Sequence, residues 1–165
     1  MAMLTQPTSK TLTVNGLRLH YLDWGNASAP PLVCVHGYTS SAQTFNVVAR
    51  HFMDRAHVIT PDVRGHGESA WSPTGAYTYA DQASDLASLV DQLALERFTL
   101  IGTSMGGIIA MTYAGAHPER LASLFTRAPR LGLARALVPA ADYRDWREQR
   151  RSFEQLALVR PIANF

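Results

Sequence analysis

Short apolar runs alternate with longer amphipathic stretches along the first 126 residues of the chain. Residues 11–14 and 17–22 each alternate apolar and polar positions, and Asn15-Gly16 lies between them. Asn-Gly between two alternating runs predicts a β-hairpin with a two-residue turn. A short, continuous apolar run, typical of a buried parallel strand, follows at residues 32–35, and further strands are predicted at residues 57–60, 98–101 and 121–126.

Helical periodicity occupies the stretches between these runs. We predict a first helix over residues 42–52, with one apolar face formed by Phe45, Val48, Ala49 and Phe52. Thr78, with Asp81 three positions later, predicts a capping box at the start of a second helix. The apolar stripe of this helix is expected to comprise Ala83, Leu86, Ala87, Val90 and Leu93. A third helix is predicted over residues 105–117. The alternation predicts an α/β protein with a mostly parallel, doubly wound sheet and an N-terminal antiparallel hairpin.

The pattern weakens after residue 126, and the charge changes there as well. Residues 1–126 carry seven basic and nine acidic side chains, whereas residues 127–165 carry eight arginines and four acidic side chains. We therefore expect residues 1–126 to form the core and residues 127–165 to be the start of a cap or an atypical tail. A helix is predicted over 142–158. Acidic residues interrupt the arginines and no aromatic platform accompanies them, which disfavours a nucleic-acid or membrane-surface patch.

Composition narrows the class of protein further. The net charge of the 165 residues is only +2, which gives no reason to expect a nucleic-acid partner. The single cysteine, Cys34, lies in an apolar run and is expected to fill the core. No apolar run approaches the length of a membrane span, and the N-terminal residues lack the apolar region of a signal peptide. We therefore expect a cytoplasmic protein that contacts neither membrane nor nucleic acid.

The strongest chemical signal is Gly102-Thr103-Ser104-Met105-Gly106, which lies between a predicted strand and a predicted helix. Three fixed positions of this kind occur by chance in about one chain in twenty of this length, so the motif alone is weak. Its position between strand and helix makes it specific. A sharp turn at that point exposes the serine hydroxyl as a candidate nucleophile, and the amides that begin the helix point toward developing negative charge.

Three motifs taken together resemble the α/β-hydrolase fold family. They are Val35-His36-Gly37-Tyr38, the loop Pro61-Asp62-Val63-Arg64-Gly65-His66-Gly67-Glu68-Ser69, and Gly102-Thr103-Ser104-Met105-Gly106-Gly107. Their order and spacing also match the family, over roughly residues 11–125. The chain resembles the N-terminal portion of that fold, which implies a truncated α/β-hydrolase fold.

The resemblance implies specific roles for residues of these motifs. Ser104 would be the nucleophile, and the backbone amides of Met105 and Tyr38 would form the oxyanion hole. Four further residues would shape the surrounding loops: His36, Gly37, Gly102 and Gly106. The family needs neither a metal nor an organic cofactor. Serine at the nucleophile position, where epoxide-opening relatives use aspartate, implies acyl transfer on a small-molecule substrate such as an ester, lactone or thioester.

The same resemblance exposes a gap in the catalytic machinery. In the family an acidic residue and a histidine follow the nucleophile, but the only histidine after Ser104 is His117, at the far end of the predicted helix. The catalytic acid and histidine are therefore expected beyond Phe165. His66, oriented by Asp62, is an alternative base, although a loop-stabilising role suits it better.

We therefore expect a serine hydrolase acting on carboxylic esters or related acyl compounds. One alternative is a truncated, catalytically inactive remnant that binds a small ligand or a partner. A further alternative is a carbon–carbon bond hydrolase or a cofactor-free perhydrolase. Because missing strands would leave residues 121–126 as an exposed apolar edge, self-association through that edge is also expected.

Overall fold

The computed structural model describes residues 6–127 and 155–156. Its strands are β1 (Thr8–Val14), β2 (Leu17–Asp23), β3 (Pro31–Val35), β4 (His57–Pro61), β5 (Phe98–Thr103), β6 (Leu121–Arg127) and β7 (Gln155–Leu156). They form one sheet in the order β1-β2-β4-β3-β5-β6-β7. β2 is antiparallel to β1 and to β4, and every other neighbouring pair is parallel. The predicted mostly parallel sheet with an N-terminal antiparallel hairpin is thus confirmed.

The hairpin turns at the predicted dipeptide. Val14 pairs with Leu17, and the two residues between them, Asn15 and Gly16, have φ angles of 49° and 77°. Positive φ at both central positions is the signature of a type I′ turn, whose twist matches that of the flanking strands. The asparagine and glycine therefore determine both the turn and the register of β1 against β2.

Three α-helices connect the strands: α1 (Asn46–Phe52), α2 (Tyr79–Gln92) and α3 (Met105–Ala116). The predicted first helix begins as a 3-10 helix, Ala42–Phe45, and continues as α1. A second 3-10 helix, Pro118–Arg120, precedes β6. The predicted capping box of α2 is present, because the Thr78 hydroxyl accepts the Asp81 amide proton and the Asp81 carboxylate accepts that of Thr78.

Apolar side chains cover both faces of the sheet. Val33 and Val35 of β3 belong to a large cluster with α2 and α3, whereas Cys34 belongs to a smaller cluster with Phe45 and Ala49. A strand buried on both faces requires a helical layer on each side, which is the predicted doubly wound arrangement. Burial raises the pKa of the Cys34 thiol to about 12, in keeping with a side chain that fills the core.

The prediction of Phe52 as a core residue is wrong, because α1 ends at this residue and leaves its ring exposed.

The C-terminal side of the sheet differs from the expectation of a bare edge. Gln155 and Leu156 pair in parallel with Ser123 and Leu124, so β6 has a neighbour at these two positions. These two residues are also extended, not helical as the pattern over 142–158 predicted. The rest of that prediction, and the assignment of 127–165 to a cap or tail, fall almost entirely outside the described residues.

Within the described residues, no helix combines the length and hydropathy needed to span a bilayer.

Candidate active site

The three predicted motifs meet at one edge of the sheet. His36 follows the end of β3, Asp62 follows the end of β4, and Ser104 follows the end of β5. These three strands are parallel neighbours, so their carboxyl ends lie side by side. In sheets of this kind, ligands bind outside the carboxyl ends of the strands. The arrangement is therefore a candidate active site.

Ser104 is the single residue between β5 and α3. Its backbone has φ 54° and ψ −118°, in the half of conformational space that residues with a side chain rarely adopt. Such strain persists only where the surrounding structure imposes it, and it is concentrated at functional sites. The turn from strand to helix is completed at once, because the Ser104 carbonyl already accepts the amide proton of Gly107 at 2.8 Å.

Two glycines allow this abrupt turn. A Cβ atom on Gly102 would lie 2.3 Å from the Gly106 carbonyl oxygen, and one on Gly106 would lie 2.1 Å from the Val35 carbonyl oxygen. Both neighbours are backbone atoms, which cannot rotate away. A Cβ on Gly37 would approach Cβ of Ser104 to 3.2 Å, so the loop after β3 passes directly beside the serine. Close backbone approach thus brings the β3 loop and the β5–α3 turn together.

Two backbone amides at this edge have no hydrogen-bond acceptor among the described residues. One belongs to Met105, the first residue of α3, whose N–H has no acceptor within the helix. The other belongs to Tyr38 in the loop after β3. Donors at a helix N-terminus attract negative charge, and the helix dipole adds to the effect. The two amides are therefore suited to hold an oxyanion beside the Ser104 hydroxyl.

His36 connects the loops that surround the serine. Its Nδ1–H donates to the Gly37 carbonyl at 2.8 Å, and its Nε2 accepts the Val63 amide proton at 3.1 Å. Both contacts are satisfied only by the neutral imidazole with the proton on Nδ1. Burial lowers the pKa of His36 below its ordinary value, which favours that neutral form. With both ring nitrogens occupied, His36 links the β3 loop to the β4 loop.

Asp62 has a different partner from the one expected. Its carboxylate accepts a hydrogen bond from Nδ1 of His20 at 2.7 Å, and both side chains are completely buried. It also accepts the amide protons of Ala42 and Glu68. The expectation that Asp62 orients His66 is therefore wrong, because Nδ1 of His66 bonds to the Arg64 carbonyl at 3.1 Å. No local sequence signal links His20 to Asp62, which are 42 positions apart.

The His20–Asp62 pair is also hydrogen-bonded to a serine that lies outside the Gly102–Gly106 motif. The hydroxyl of Ser9 in β1 lies 2.9 Å from Nε2 of His20. Ser9, His20 and Asp62 thus form a hydrogen-bonded serine–histidine–carboxylate series that joins the N-terminal hairpin to the β4 loop. Ser104, in contrast, forms no hydrogen bond to any histidine of residues 6–127.

Arg64 holds the β4 loop to α2. Its guanidinium makes two 2.6 Å hydrogen bonds to the Asp85 carboxylate and a third, of 2.7 Å, to the Ala76 carbonyl. The bonds to Asp85 raise the pKa of Arg64. A bidentate pair of this kind fixes direction as well as distance. Asp62 and Arg64 therefore both stabilise loops, and the partner Asp85 carried no recognisable sequence signal.

A cleft of about 460 Å³ opens beside Tyr38 and Met105. Seven other residues complete its lining: Thr39, Gly65, His66, Trp71, Tyr77, Tyr79 and Gln82. Trp71, Tyr77 and Tyr79 carried no recognisable sequence signal, because an aromatic residue in a loop is usually assigned to packing. Among residues 6–127, no group of three or more histidine, cysteine or acidic side chains is arranged to hold a metal ion.

Known proteins match most of the described sheet. The profile of the alpha/beta hydrolase fold matches residues 30–159. A candidate 2-succinyl-6-hydroxy-2,4-cyclohexadiene-1-carboxylate synthase of Bacillus subtilis is 37% identical over 120 residues, which is 72% of this chain and 43% of that protein. The 3-hydroxybutyrate-oligomer hydrolase of Cupriavidus necator is 38% identical over 100 residues, or 59% of this chain and 34% of the relative.

Solved structures give the same result. The crystal structure of a membrane phospholipase A, described as a bacterial virulence factor, superposes with a TM-score of 0.72 at 32% identity. The match covers 74% of this chain and 40% of that structure. The chain thus spans less than half the length of these relatives. The resemblance inferred from the three motifs is confirmed.

Proposed function

Because this chain belongs to the α/β-hydrolase fold family, we propose that it carries the nucleophile and oxyanion site of a serine hydrolase for carboxylic esters or related acyl compounds. The observation that supports this proposal most strongly is the strained backbone of Ser104 at the β5–α3 junction. It lies beside the amides of Tyr38 and Met105, which have no acceptor among the described residues. A nucleophile and two donors at one edge of the sheet are what acyl transfer requires. The similar protein from Cupriavidus necator, a 3-hydroxybutyrate-oligomer hydrolase, supports the same reaction class.

The proposed reaction follows from this geometry. The Ser104 hydroxyl oxygen attacks the substrate carbonyl carbon and loses its proton to a base. The carbonyl oxygen becomes negative and accepts hydrogen bonds from the amides of Tyr38 and Met105. Collapse of this intermediate expels the alcohol, which takes up the proton. Water then takes the place of the alcohol and attacks the carbonyl carbon of the acyl–Ser104 ester. Collapse of this second intermediate releases the acid and restores the Ser104 hydroxyl.

None of the described histidines is hydrogen-bonded to Ser104, and the surroundings of three of them exclude these as its base. His36 has both ring nitrogens engaged, and His20 is buried between Ser9 and Asp62. His117 ends α3 with its ring against Tyr113, away from the edge that carries Ser104. The family order places the acid and histidine after the nucleophile. Residues 128–165 contain no histidine. We therefore assign the base either to His66, which lines the cleft beside Tyr38 and Met105 and whose Nε2 makes no hydrogen bond among the described residues, or to a histidine of a second copy of the chain.

The lack of a hydrogen bond between Ser104 and any described histidine favours one second candidate. On that view the chain is a catalytically inactive member of the family that binds a small ligand. The carbon–carbon hydrolase and perhydrolase alternatives share the serine and its amides with the esterase. They differ in the product released, which product analysis distinguishes.

Hydrolysis of p-nitrophenyl acetate by the purified chain tests the proposal. The informative comparison is Ser104→Ala against Ser9→Ala, because Ser9 is a serine already hydrogen-bonded to a histidine. We expect release of p-nitrophenol by the parent and by Ser9→Ala, with the rate in Ser104→Ala at least about a hundredfold lower. Equal rates in the parent and Ser104→Ala would contradict the proposal. A parent without activity would support the inactive ligand-binding candidate.

A further inference from the structure

The cleft beside Tyr38 and Met105 has a lining of unusual chemistry. Of its nine residues, none carries a carboxylate, ammonium or guanidinium group, and His66 is the one with an imidazole. Four are aromatic: Tyr38, Trp71, Tyr77 and Tyr79. An ionic group placed here would lose water without gaining a charged partner, which is costly. The lining therefore selects for an uncharged ligand.

These aromatic side chains are exposed although large apolar surfaces are normally covered. Trp71 is 75% exposed and Tyr38 is 72% exposed, while Tyr79 and Tyr77 are 45% and 38% exposed. Single exposed apolar residues are common, but four around one concavity form a patch of the kind that marks a binding site. The volume of about 460 Å³ lies within the range of small-molecule pockets.

Contacts with neighbouring residues hold three of the four rings in place. The hydroxyl of Tyr77 accepts the Ser72 amide proton at 2.8 Å, and its ring packs on Gly65, where a Cβ would lie 2.9 Å from Cε1. Trp71 meets Tyr77 edge to face at 6.5 Å. Tyr38 meets His66 in the same manner at 5.8 Å. A fixed ring loses little conformational freedom on binding, so these contacts form a preorganised wall.

We propose that this cleft binds an uncharged aromatic group of the substrate, so that the chain prefers aryl over alkyl esters. The inference rests on the proposed function, because the cleft borders the two residues whose amides are assigned to the oxyanion. A carbonyl held by the amides of Tyr38 and Met105 would place its substituent against the tyrosine and tryptophan rings. Edge-to-face and offset-stacked contacts favour an aromatic ring over a saturated ring of similar size.

A binding experiment separates this inference from the question of catalysis. The probes are N-(2-naphthyl)acetamide, an unreactive amide analogue of an aryl ester, and N-(decahydro-2-naphthyl)acetamide, its saturated counterpart of similar size. Their dissociation constants are measured by isothermal titration calorimetry with the full chain and with Ser104→Ala, which has no nucleophile at this position. We expect the naphthyl amide to bind about fivefold or more tightly than the decahydronaphthyl amide in both proteins.

Three variants test whether the cleft is responsible. Trp71→Ala is expected to weaken naphthyl amide binding by about fivefold, and Trp71→Phe is expected to restore most of it. Phe52→Ala removes an exposed ring of α1 that does not line the cleft and is expected to change nothing. Tyr79→Ala is a second cleft variant, and the thermal unfolding midpoint of each variant verifies its fold.

Three results would overturn the inference. The first is equal affinity for the naphthyl and decahydronaphthyl amides, and the second is naphthyl amide binding that survives in both Trp71→Ala and Tyr79→Ala. The third is a sedimentation experiment in which Trp71→Ala converts a dimer into a monomer, which would show that a second copy of the chain covers the cleft. A chain that hydrolyses no ester yet shows the expected affinities would contradict the proposed function and leave the aromatic site standing.

Discussion

Nδ1 of His20 lies 2.7 Å from Oδ2 of Asp62, and both side chains are completely shielded from solvent. The same carboxylate accepts the amide protons of Ala42, at 2.6 Å, and Glu68, at 3.0 Å. One buried charged group therefore joins the N-terminal hairpin, the segment that follows the β3 loop, and the β4 loop. These segments surround the loops that position Tyr38 and Ser104. The site rests on this network as much as on the residues assigned to chemistry.

Replacing the Asp62 carboxylate by an amide should weaken this network. Asp62→Asn keeps the shape but turns one acceptor position into a donor, so a buried N–H loses its partner. We expect the free energy of unfolding in urea to fall by about 2–4 kcal/mol. The control is Asp54→Asn at an exposed position, which should change it by less than about 0.5 kcal/mol. Equal effects of the two substitutions would show that the buried carboxylate is dispensable.

The Arg64–Asp85 pair should be sensitive to the shape of the cation. Arg64→Lys keeps the positive charge but cannot make two parallel bonds to Asp85 together with the bond to Ala76. We expect a loss of about 2 kcal/mol in the free energy of unfolding. A double-mutant cycle with Asp85→Asn checks the cause, since Arg64→Lys should cost much less once Asp85 is neutral. Additive effects would mean that the pair is not coupled.

Gly106 should tolerate no side chain, unlike another glycine of the same helix. Gly106→Ala would place Cβ against the Val35 carbonyl, and we expect it to cost about 3 kcal/mol or more, or to prevent folding. Gly115→Ala is the matched control, because nothing lies within 4 Å of a Cβ there. Alanine is the better helix former, so this variant should be as stable as the parent or more stable by about 0.5–1 kcal/mol. Similar unfolding midpoints for both variants would contradict the close packing at the elbow.

Lowering the pH should reduce the free energy of unfolding through His36. Burial lowers the pKa of His36 below 6.5, although the Gly37 carbonyl and Asp62, whose Oδ1 lies 3.8 Å from Nε2, act in the opposite direction. Below pH 6.5 the unfolded chain therefore binds a proton that the folded chain excludes, and the free energy of unfolding falls as the pH drops toward the folded pKa. Above pH 6.5 both states are neutral and this contribution is constant.

His36→Gln provides the comparison, because glutamine is polar and does not titrate. Urea unfolding at about pH 7.5 and about pH 5.5 should show a smaller difference between the two pH values in the variant than in the parent. Asp23 does not interfere in this range. Its pKa is lowered from 3.8 because its hydrogen bonds, led by that from Lys10, outweigh burial. An identical pH dependence in parent and variant would show that His36 does not exclude the proton.

Features set by neighbouring residues were predictable from the sequence. Asn15-Gly16 determines its own turn, Thr78 and Asp81 cap the same helix end, and the spacing of Gly102 and Gly106 around Ser104 indicates a tight turn. In each case the interacting groups lie within four positions of one another. Local backbone geometry is then sufficient to decide the structure, and the motif predicts the element.

Features that depend on distant pairings were not predictable. His20 and Asp62 interact across 42 positions, and Arg64 reaches Asp85 only once α2 packs beside the β4 loop. The alternative in which Asp62 orients His66 joins two residues of one loop, whereas the observed partner of Asp62 comes from β2. The aromatic cleft was missed for a related reason, since the exposure of Trp71 and Tyr77 is decided by what packs near them. Similarly, β7 joins the sheet from far along the chain.

The most direct test of the account is covalent labelling of the chain with a fluorophosphonate, followed by trypsin digestion and mass spectrometry. The reagent forms a stable ester with an activated serine, and the two candidate serines fall in separate peptides, residues 98–120 for Ser104 and residues 1–10 for Ser9. The account predicts an adduct on Ser104 in peptide 98–120 that disappears in Ser104→Ala and remains in Ser9→Ala. An adduct on peptide 1–10, or an unlabelled Ser104 in a folded chain, would contradict it.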